Sequence, residues 1–378
     1  MAAEGNITGS ARVTIARVET KVVRTPIAQP VRTSFGMMRD RPALFVKVTD
    51  GDGAEGFGEV WCNFPSVGAE HRARLATDVI GPLLIGSGEL KLDTVFAQLM
   101  QRLHILAIQS GEWGPFGQVA AGLDAACHDL AARKANLPLW RFLGGLGTGK
   151  IRAYASGIGP ETPAEIATAA AGRGHAAFKV KVGFGHETDL RSLTAMRAAI
   201  GAAGQLMTDA NQGWGFADAA AGIRMCADHN ATWIEEPLAA DRPLAEWTTL
   251  ATSSAIALAG GENVNALPDF QSVIDAKIFR FLQPDVAKWG GVSGCFEVAR
   301  RALGAGLTYC PHYLGSGIGL MTSAHLLAAA GGDGLLEMDV NPNPDRDALV
   351  GGALPLSAGV IQLSEAGGIG ITPDWDAL

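Results

Sequence analysis

After Lys150 the sequence repeats one unit eight times: a short apolar segment, then a helix-like or loop stretch. The segments are "IRAYAS", "AFKVKV", "QLMTDA", "ATWIEE", "IALAGGE", "FRFLQPD", "LTYCPH" and "GLLEMD". Short apolar runs bounded by turn residues read as buried strands, and strand–helix alternation puts them in one parallel sheet. Eight such units is the count that closes a barrel. From the second to the eighth, each segment ends in an ionisable residue: Lys181, Asp209, Glu235, Glu262, Asp285, His312 and Glu337, at intervals of 28, 26, 27, 23, 27 and 25. The C-terminal strand ends of such a barrel meet at one mouth, so all seven groups are expected around a single pocket.

The second segment, "FKVKVGFG", carries Lys179 and Lys181 two apart, on one strand face. The opposite face (Phe178, Val180, Val182) is apolar, as suits a strand covered by helices. That pattern argues against two lysines reaching out to solvent. Burial and like charge both lower a lysine pKa, so the pair is expected to supply a neutral amine, with Lys179 tuning Lys181 as a base.

Asp209, Glu235 and Glu262 fall on consecutive strands. Three carboxylates at one mouth repel unless a cation neutralises them, and all-oxygen ligation favours a hard divalent ion, Mg²⁺ before Mn²⁺. Helix N-capping is the competing role for any one of them. Glu236 rivals Glu235; alternation lets only one of the two face inward, and its direction is open at this point. Asp285 and His312 end the sixth and seventh strands, where a carboxylate on an imidazole makes a general base. His325 reads as a structural helix residue.

The first 50 residues are strand-like, and "ALFVKVTDGDGAEGFGEV" is a hairpin turning at Asp50–Gly53. Between strands, "TPIAQPVRTSFGMMRDRP" reads as a mobile loop. From about Glu70 to Leu143 the apolar spacing is helical. Residues 1–145 thus form an α+β domain, 150–350 the barrel, and 351–378 a Gly/Pro-rich segment expected to return to the first domain. Thirty basic against 38 acidic residues, with no Lys/Arg-rich run, leave nucleic acid and anionic membrane as unexpected partners. Five scattered cysteines without CxxC, no apolar leader and no 18-residue apolar window point to a cytoplasmic protein.

Together, the Lys179-Val180-Lys181 motif, the acidic set, the Asp285/His312 pair, Glu337 and the words "WIEEP", "GGEN" and "PDVAKWGG" resemble the enolase superfamily, in its mandelate racemase branch, over essentially the whole chain. The resemblance implies an α/β fold: a modified TIM barrel of (β/α)7β type, its α+β capping domain completed by the C-terminal segment. It implies Mg²⁺ on Asp209, Glu235 and Glu262, and a small carboxylate substrate that loses its α-proton. Lys179 and Glu337 would stabilise the enediolate, with Lys181 and His312 on opposite faces. The branch commonly assembles as octamers, so a homo-oligomer is expected. Specificity is expected from the loop Pro26–Pro42 and from Glu59–Gly68, where Arg32, Thr33, Ser34, Arg39, Arg41 and Asn63 are polar and Phe35, Met37, Met38, Trp61 and Phe64 apolar. Arg32, Ser34, Trp61, Asn63 and, beyond Asp209, Asn211 are the substrate-contact candidates. Dehydration of a sugar acid is the expected reaction, ahead of racemisation or epimerisation. Lys288 matches a second base of the muconate lactonizing branch, and cycloisomerisation or dipeptide epimerisation ranks third.

Overall fold

The computed structural model describes residues 11–32 and 36–378, the side chains of Gln29 and Arg32 excepted. The N-terminal domain is built on an antiparallel sheet of β2 (Ile15–Arg32), β3 (Met37–Asp50) and β4 (Glu55–Val60), with β1 (Arg12–Val13) paired to β5 (Leu90–Lys91). Turn chemistry sets the β3–β4 hairpin, since Asp50 Oδ1 accepts from the N–H groups of Asp52 and Ala54 (3.0 and 2.9 Å). The stretch read as a mobile loop is largely strand: Pro26 pairs Asp40, and after a register shift Val31 pairs Met38 and Arg32 pairs Met37. Prolines at the edge of a two-stranded ribbon interrupt the ladder without ending it.

Helices α1 (Gly68–Arg74), α2 (Gly81–Ile85) and α4 (Trp113–Lys134) cover this sheet, and α3 (Val95–Ser110) and α5 (Leu139–Phe142) pack against α4. Helix α4 is buried over most of its length and lies against β4, where a Cβ on Gly58 would strike the carbonyl of Gly122.

The eight expected strands follow in order: β6 (Lys150–Ile158), β7 (Ala177–Lys181), β8 (Gln205–Asp209), β9 (Ala231–Glu235), β10 (Ala257–Gly260), β11 (Phe281–Leu282), β12 (Thr308–Tyr309) and β13 (Leu335–Asp339). Each pairs in parallel with the next from β6 to β12, and β13 returns to β6. Between β12 and β13, Leu335 N–H donates to Cys310 Sγ (3.4 Å). Seven helices join the strands: α6 (Pro163–Gly172), α7 (His186–Ile200), α8 (Phe216–Asp228), α9 (Leu244–Ser253), α10 (Leu267–Asp275), α11 (Gly291–Gly304) and α12 (Gly317–Ala330). This is the (β/α)7β order.

The barrel floor is a small apolar cluster of Tyr154, Ala177, Met207, Trp233, Ala259, Cys310 and Leu335. Met207, Trp233, Cys310 and Leu335 each stand two residues before a charged strand end. Period-2 geometry therefore points Asp209, Glu235, His312 and Glu337 into the same lumen, one layer higher.

Beyond α13 (Pro344–Val350), β14 (Leu356–Ser357) and β15 (Val360–Gln362) form a hairpin that runs antiparallel to β6, so this part stays on the barrel. Only past Leu363 does the chain cross to the capping domain. Ile369 N–H donates to Asp129 Oδ1 (2.7 Å), and Trp375 packs on Phe57 (6.1 Å between centroids). Among the described residues no helix is long and apolar enough to cross a membrane.

His325 sits fully buried in α12, where Trp140 N–H donates to its Nδ1 (3.2 Å), consistent with a structural role. Burial pushes its pKa down to about 3. The unfolded chain, titrating near ~6.5, binds a proton that the folded chain refuses. The resulting stability is complete above that value and is lost as pH falls toward 3. Between neutrality and a pH of about 4.5 the loss is ~2–3 kcal/mol. Urea midpoints of the wild type and His325→Leu across that range check this; the variant's midpoint is expected to vary less with pH.

Candidate active site

Register alone brings the expected residues together. Lys181 pairs with Asp209, and Asp209 with Glu235, across β7, β8 and β9. Asp285 and His312 form an isolated bridge beyond β11 and β12. The mouth holds a cavity of about 280 Å³ lined by Lys181, Asn211, Glu262, Lys288, His312 and Glu337 from the barrel and by Val31, Trp61, Asn63 and Phe64 from the capping domain.

Lys179, 1 % exposed, donates to both oxygens of Glu235 (2.8 and 2.7 Å), lies 2.7 Å from Glu337 Oε1 and 3.6 Å from Asp209 Oδ2. Lys181 donates to Asp209 Oδ2 (2.6 Å) and Asn211 Oδ1 (2.8 Å). These contacts overturn the expected lowering of the lysine pKa values. Burial does pull both down, but Glu235 and Glu337 around Lys179, and Asp209 around Lys181, outweigh it, and both are raised. The sequence set one lysine beside another; the fold sets carboxylates closer to each.

His312 Nδ1 bonds Asp285 Oδ2 (2.7 Å), and Asp285 Oδ1 accepts from Ala287 N–H (2.8 Å). The imidazole is thereby held with Nε2 toward Glu262, which it contacts, and toward Glu337 (3.8 Å). Against the lowering effect of burial, Glu262, Glu337 and Asp285 raise its pKa well above the ordinary histidine value. Glu337 accepts from Ser156 Oγ (2.5 Å) and Tyr313 N–H (3.1 Å). Burial raises its pKa, but Lys179 and His312 bring it to about 2.

Glu235 and Glu236 are both buried, as a strand covered on both faces allows, and they point to different sides. A positive φ (38°) at Glu236 turns the backbone after the strand. Glu235 faces the lumen, and the Glu236 carboxylate accepts from Asn263 Nδ2 (3.0 and 2.8 Å). Asn263 also donates to Glu262 Oε1 (2.9 Å) and accepts from Lys288 Nζ (2.8 Å). Asn263, Ser156 and Gln283, whose amide donates to Glu235 Oε2 (2.7 Å), are site residues that sequence reasoning missed. Their uncharged side chains carry no signal except position at a strand end.

Asn63 Nδ2 donates to Leu314 O (2.5 Å), and the Trp61 ring lies over Lys288 Nζ at 5.1 Å. Arg41, expected to offer a substrate contact, is instead buried in an ion pair with Asp339 (2.8 Å). Arg39 is exposed. Ser34 and the Arg32 side chain lie outside the described residues.

The donor set suits a hard divalent ion. Asp209, Glu235, Glu236, Glu262, Asp285 and Glu337 are countered by Lys179, Lys181, Lys288 and His312, which leaves two negative charges. The count takes every carboxyl as ionised, and the crowding of like charge raises the pKa of two of them. Burial together with Asp209 and Glu337 pushes Glu235 up to about 7, and burial with Glu262 pushes Glu236 up to about 8. Among the described residues no three acidic, His or Cys side chains already converge as a metal cage; ammonium and imidazole groups stand between the carboxylates.

Residues 16–144 match the mandelate racemase/muconate lactonizing enzyme N-terminal domain, and residues 161–377 match the enolase C-terminal domain-like model. The chain belongs to the enolase superfamily. Within it the fold is that of the mandelate racemase/muconate lactonizing enzyme branch. A mandelate racemase/muconate lactonizing enzyme from Bordetella bronchiseptica RB50 is 49 % identical, with a TM-score of 0.91 over 97 % of this chain and 99 % of that one. An enolase from Bradyrhizobium complexed with magnesium and mandelic acid is 28 % identical (TM-score 0.82, 97 % and 98 % covered). Among relatives of named activity, a 3,6-anhydro-alpha-L-galactonate cycloisomerase of Streptomyces coelicolor is 32 % identical over 76 % of this chain and 79 % of its own length. A D-galactonate dehydratase of Klebsiella pneumoniae is 31 % identical over 71 % of each. Superfamily relatives thus span dehydratases, cycloisomerases and racemases.

Proposed function

We propose that this enolase-superfamily enzyme removes the proton α to the carboxylate of a sugar acid and expels the β-hydroxyl as water, giving a 2-keto-3-deoxy acid. The observation that carries the reading is the pairing of two candidate bases, Lys181 on β7 and the Asp285-held His312 beyond β12, on one cavity. Three strand steps separate them around the barrel, so they address a bound acid from different sides. One takes the α-proton; the other delivers a proton to the departing hydroxyl; the enol left behind tautomerises to the ketone. Buried Lys179, an ammonium, is the donor for the charge that develops on the substrate carboxylate.

Asp209, Glu235 and Glu262 would hold Mg²⁺. Bound there, the ion would polarise the substrate carboxylate and compensate the acidic charge that keeps protons on Lys181 and His312. The amide and hydroxyl groups of Asn63, Asn211, Gln212, Asn263, Asn341 and Ser156 on the cavity wall favour a polyhydroxylated substrate. A small soluble acid fits a cavity of this size, with no nucleic acid or membrane involved and a homo-oligomeric assembly.

A screen of aldonates and aldarates for semicarbazide-reactive product tests the reading. Product is expected with Mg²⁺, none with excess chelator, and recovery on adding the ion back. Turnover indifferent to chelation counts against it. A second reading, inversion at the same carbon, is favoured by the apolar wall of Val31, Trp61, Phe64 and Leu314. Solvent deuterium entering the α-position without loss of water would select it.

A further inference from the structure

Glu59, Trp61 and Asn63 alternate along β4 and its continuation, so they share one face. All three reach the barrel loops that carry the Asp285–His312 pair. The Trp61 ring lies over Lys288 while its backbone N–H donates to Ala287 O (3.2 Å), and the Asn63 side-chain amide donates to Leu314 O. Glu59 Oε1 accepts from Ser316 N–H (2.6 Å) and Oε2 from Gly319 N–H (3.0 Å). These N–H groups belong to the N-terminus of α12, whose own N-cap residue, Ser316, makes no side-chain capping bond. A carboxylate from another domain thus satisfies donors that the helix's own sequence leaves open, where the helix dipole favours negative charge. Glycine makes room for it: a Cβ on Gly315 would meet Glu59 Oε1 at 2.7 Å and also the Tyr313 hydroxyl. At 5 % exposure, Glu59 has no solvent to replace these partners.

We propose that Glu59 is a positioning residue for His312, a capping-domain carboxylate that fixes the span between the imidazole and α12. Leu314 O is held by Asn63, Ser316 N–H by Glu59 and Tyr313 N–H by Glu337, so the histidine follows a backbone tethered on three sides. Lys181 depends on none of these bonds. It stands on β7, laddered between β6 and β8. Loss of Glu59 therefore weakens the His312 side of the chemistry and spares the Lys181 side. This inference rests on the two-base reading above.

Glu59→Gln and Glu59→Ala enzymes loaded with Mg²⁺ would be incubated in D₂O with D-galactonate and, separately, with its C2 epimer D-talonate. Deuterium entry at C2 is followed by NMR. Burial pushes the Glu59 carboxyl up to about 7, so the assay runs near a pH of about 8, where the group is ionised. Exchange on the epimer that loses activity in His312→Asn is expected to fall about 10²-fold in Glu59→Ala, since a displacement of roughly 1 Å costs about that much, and by less in Glu59→Gln. Exchange on the epimer that depends on Lys181 stays within about twofold, an immaterial change on the same scale. Equal losses on both epimers, or none, overturn the proposal. Backbone amide exchange decides it separately: protection over 313–319 is expected to drop in both variants, and unchanged protection overturns the clamp. Wild-type enzyme that exchanges neither epimer while losing that protection on mutation refutes the reaction reading and leaves the clamp standing.

Discussion

Replacing His312 with Asn is expected to lower dehydration by about 10²–10⁴-fold, the usual contribution of a positioned acid or base. Asn keeps much of the polar shape, so the loss reports the proton-transfer role. The sharper expectation concerns what survives. Lys181 keeps its place between Asn211 and Asp209, so α-proton exchange on the face it addresses persists in His312→Asn. In Lys181→Met the surviving face is the other one. A double variant that loses no more turnover than either single variant follows if the two groups act in one sequence. Asp285→Asn should behave as a weaker His312→Asn, because an amide in place of Oδ2 no longer fixes the imidazole with Nε2 toward the cavity. Equal exchange on both faces in His312→Asn would remove the two-base arrangement.

The second large effect is on stability. Asp129→Ala is expected to cost ~3–5 kcal/mol, the range for removing one member of a buried charge network. The Asp129 carboxylate is fully buried and joins three parts of the molecule. It accepts from Phe57 N–H on β4 (2.9 Å), from Ile369 N–H in the C-terminal segment (2.7 Å) and from Arg133 Nε one helical turn along α4 (2.7 Å). Alanine leaves two buried amide donors and a partly buried guanidinium without their acceptor. A fall in urea midpoint, with new protease cleavage within 363–378, is the expected measurement. Asn, able to accept but also bringing a donor, should lie between wild type and Ala. Unchanged protection of the C-terminal segment would show that Trp375 and its neighbours hold it unaided.

Much of the barrel was legible because its signals are local. Each apolar segment reads as a strand from its own residues, and the alternation within it tells which side chains share a face. The charged strand ends therefore read as one ring from strand period and unit length alone. Glu235 against Glu236 stayed undecided, because the answer lay in the lumen position of Trp233 and in a positive φ after the strand, neither of which periodicity encodes. The β2–β3 hairpin was misread for a related reason. Proline and glycine mark breaks in a chain, while the pairing of Pro26 with Asp40 depends on a partner strand.

Charge balance was the least legible property. Lys179 and Lys181 are neighbours in sequence and invite the conclusion that each lowers the other's pKa. In the barrel, Asp209, Glu235 and Glu337 come from strands far along the chain and stand within 2.6–3.6 Å of the two ammonium groups, reversing the sign. Arg41 and Glu59 make the same point between domains: one is consumed by Asp339 and the other caps α12. By itself the sequence determined which residues ring the mouth, because strand period and unit length are properties of contiguous residues. Only the tertiary structure decided which charges face one another and which residues hold their neighbours in place, because electrostatic and hydrogen-bond energies depend on distances through space.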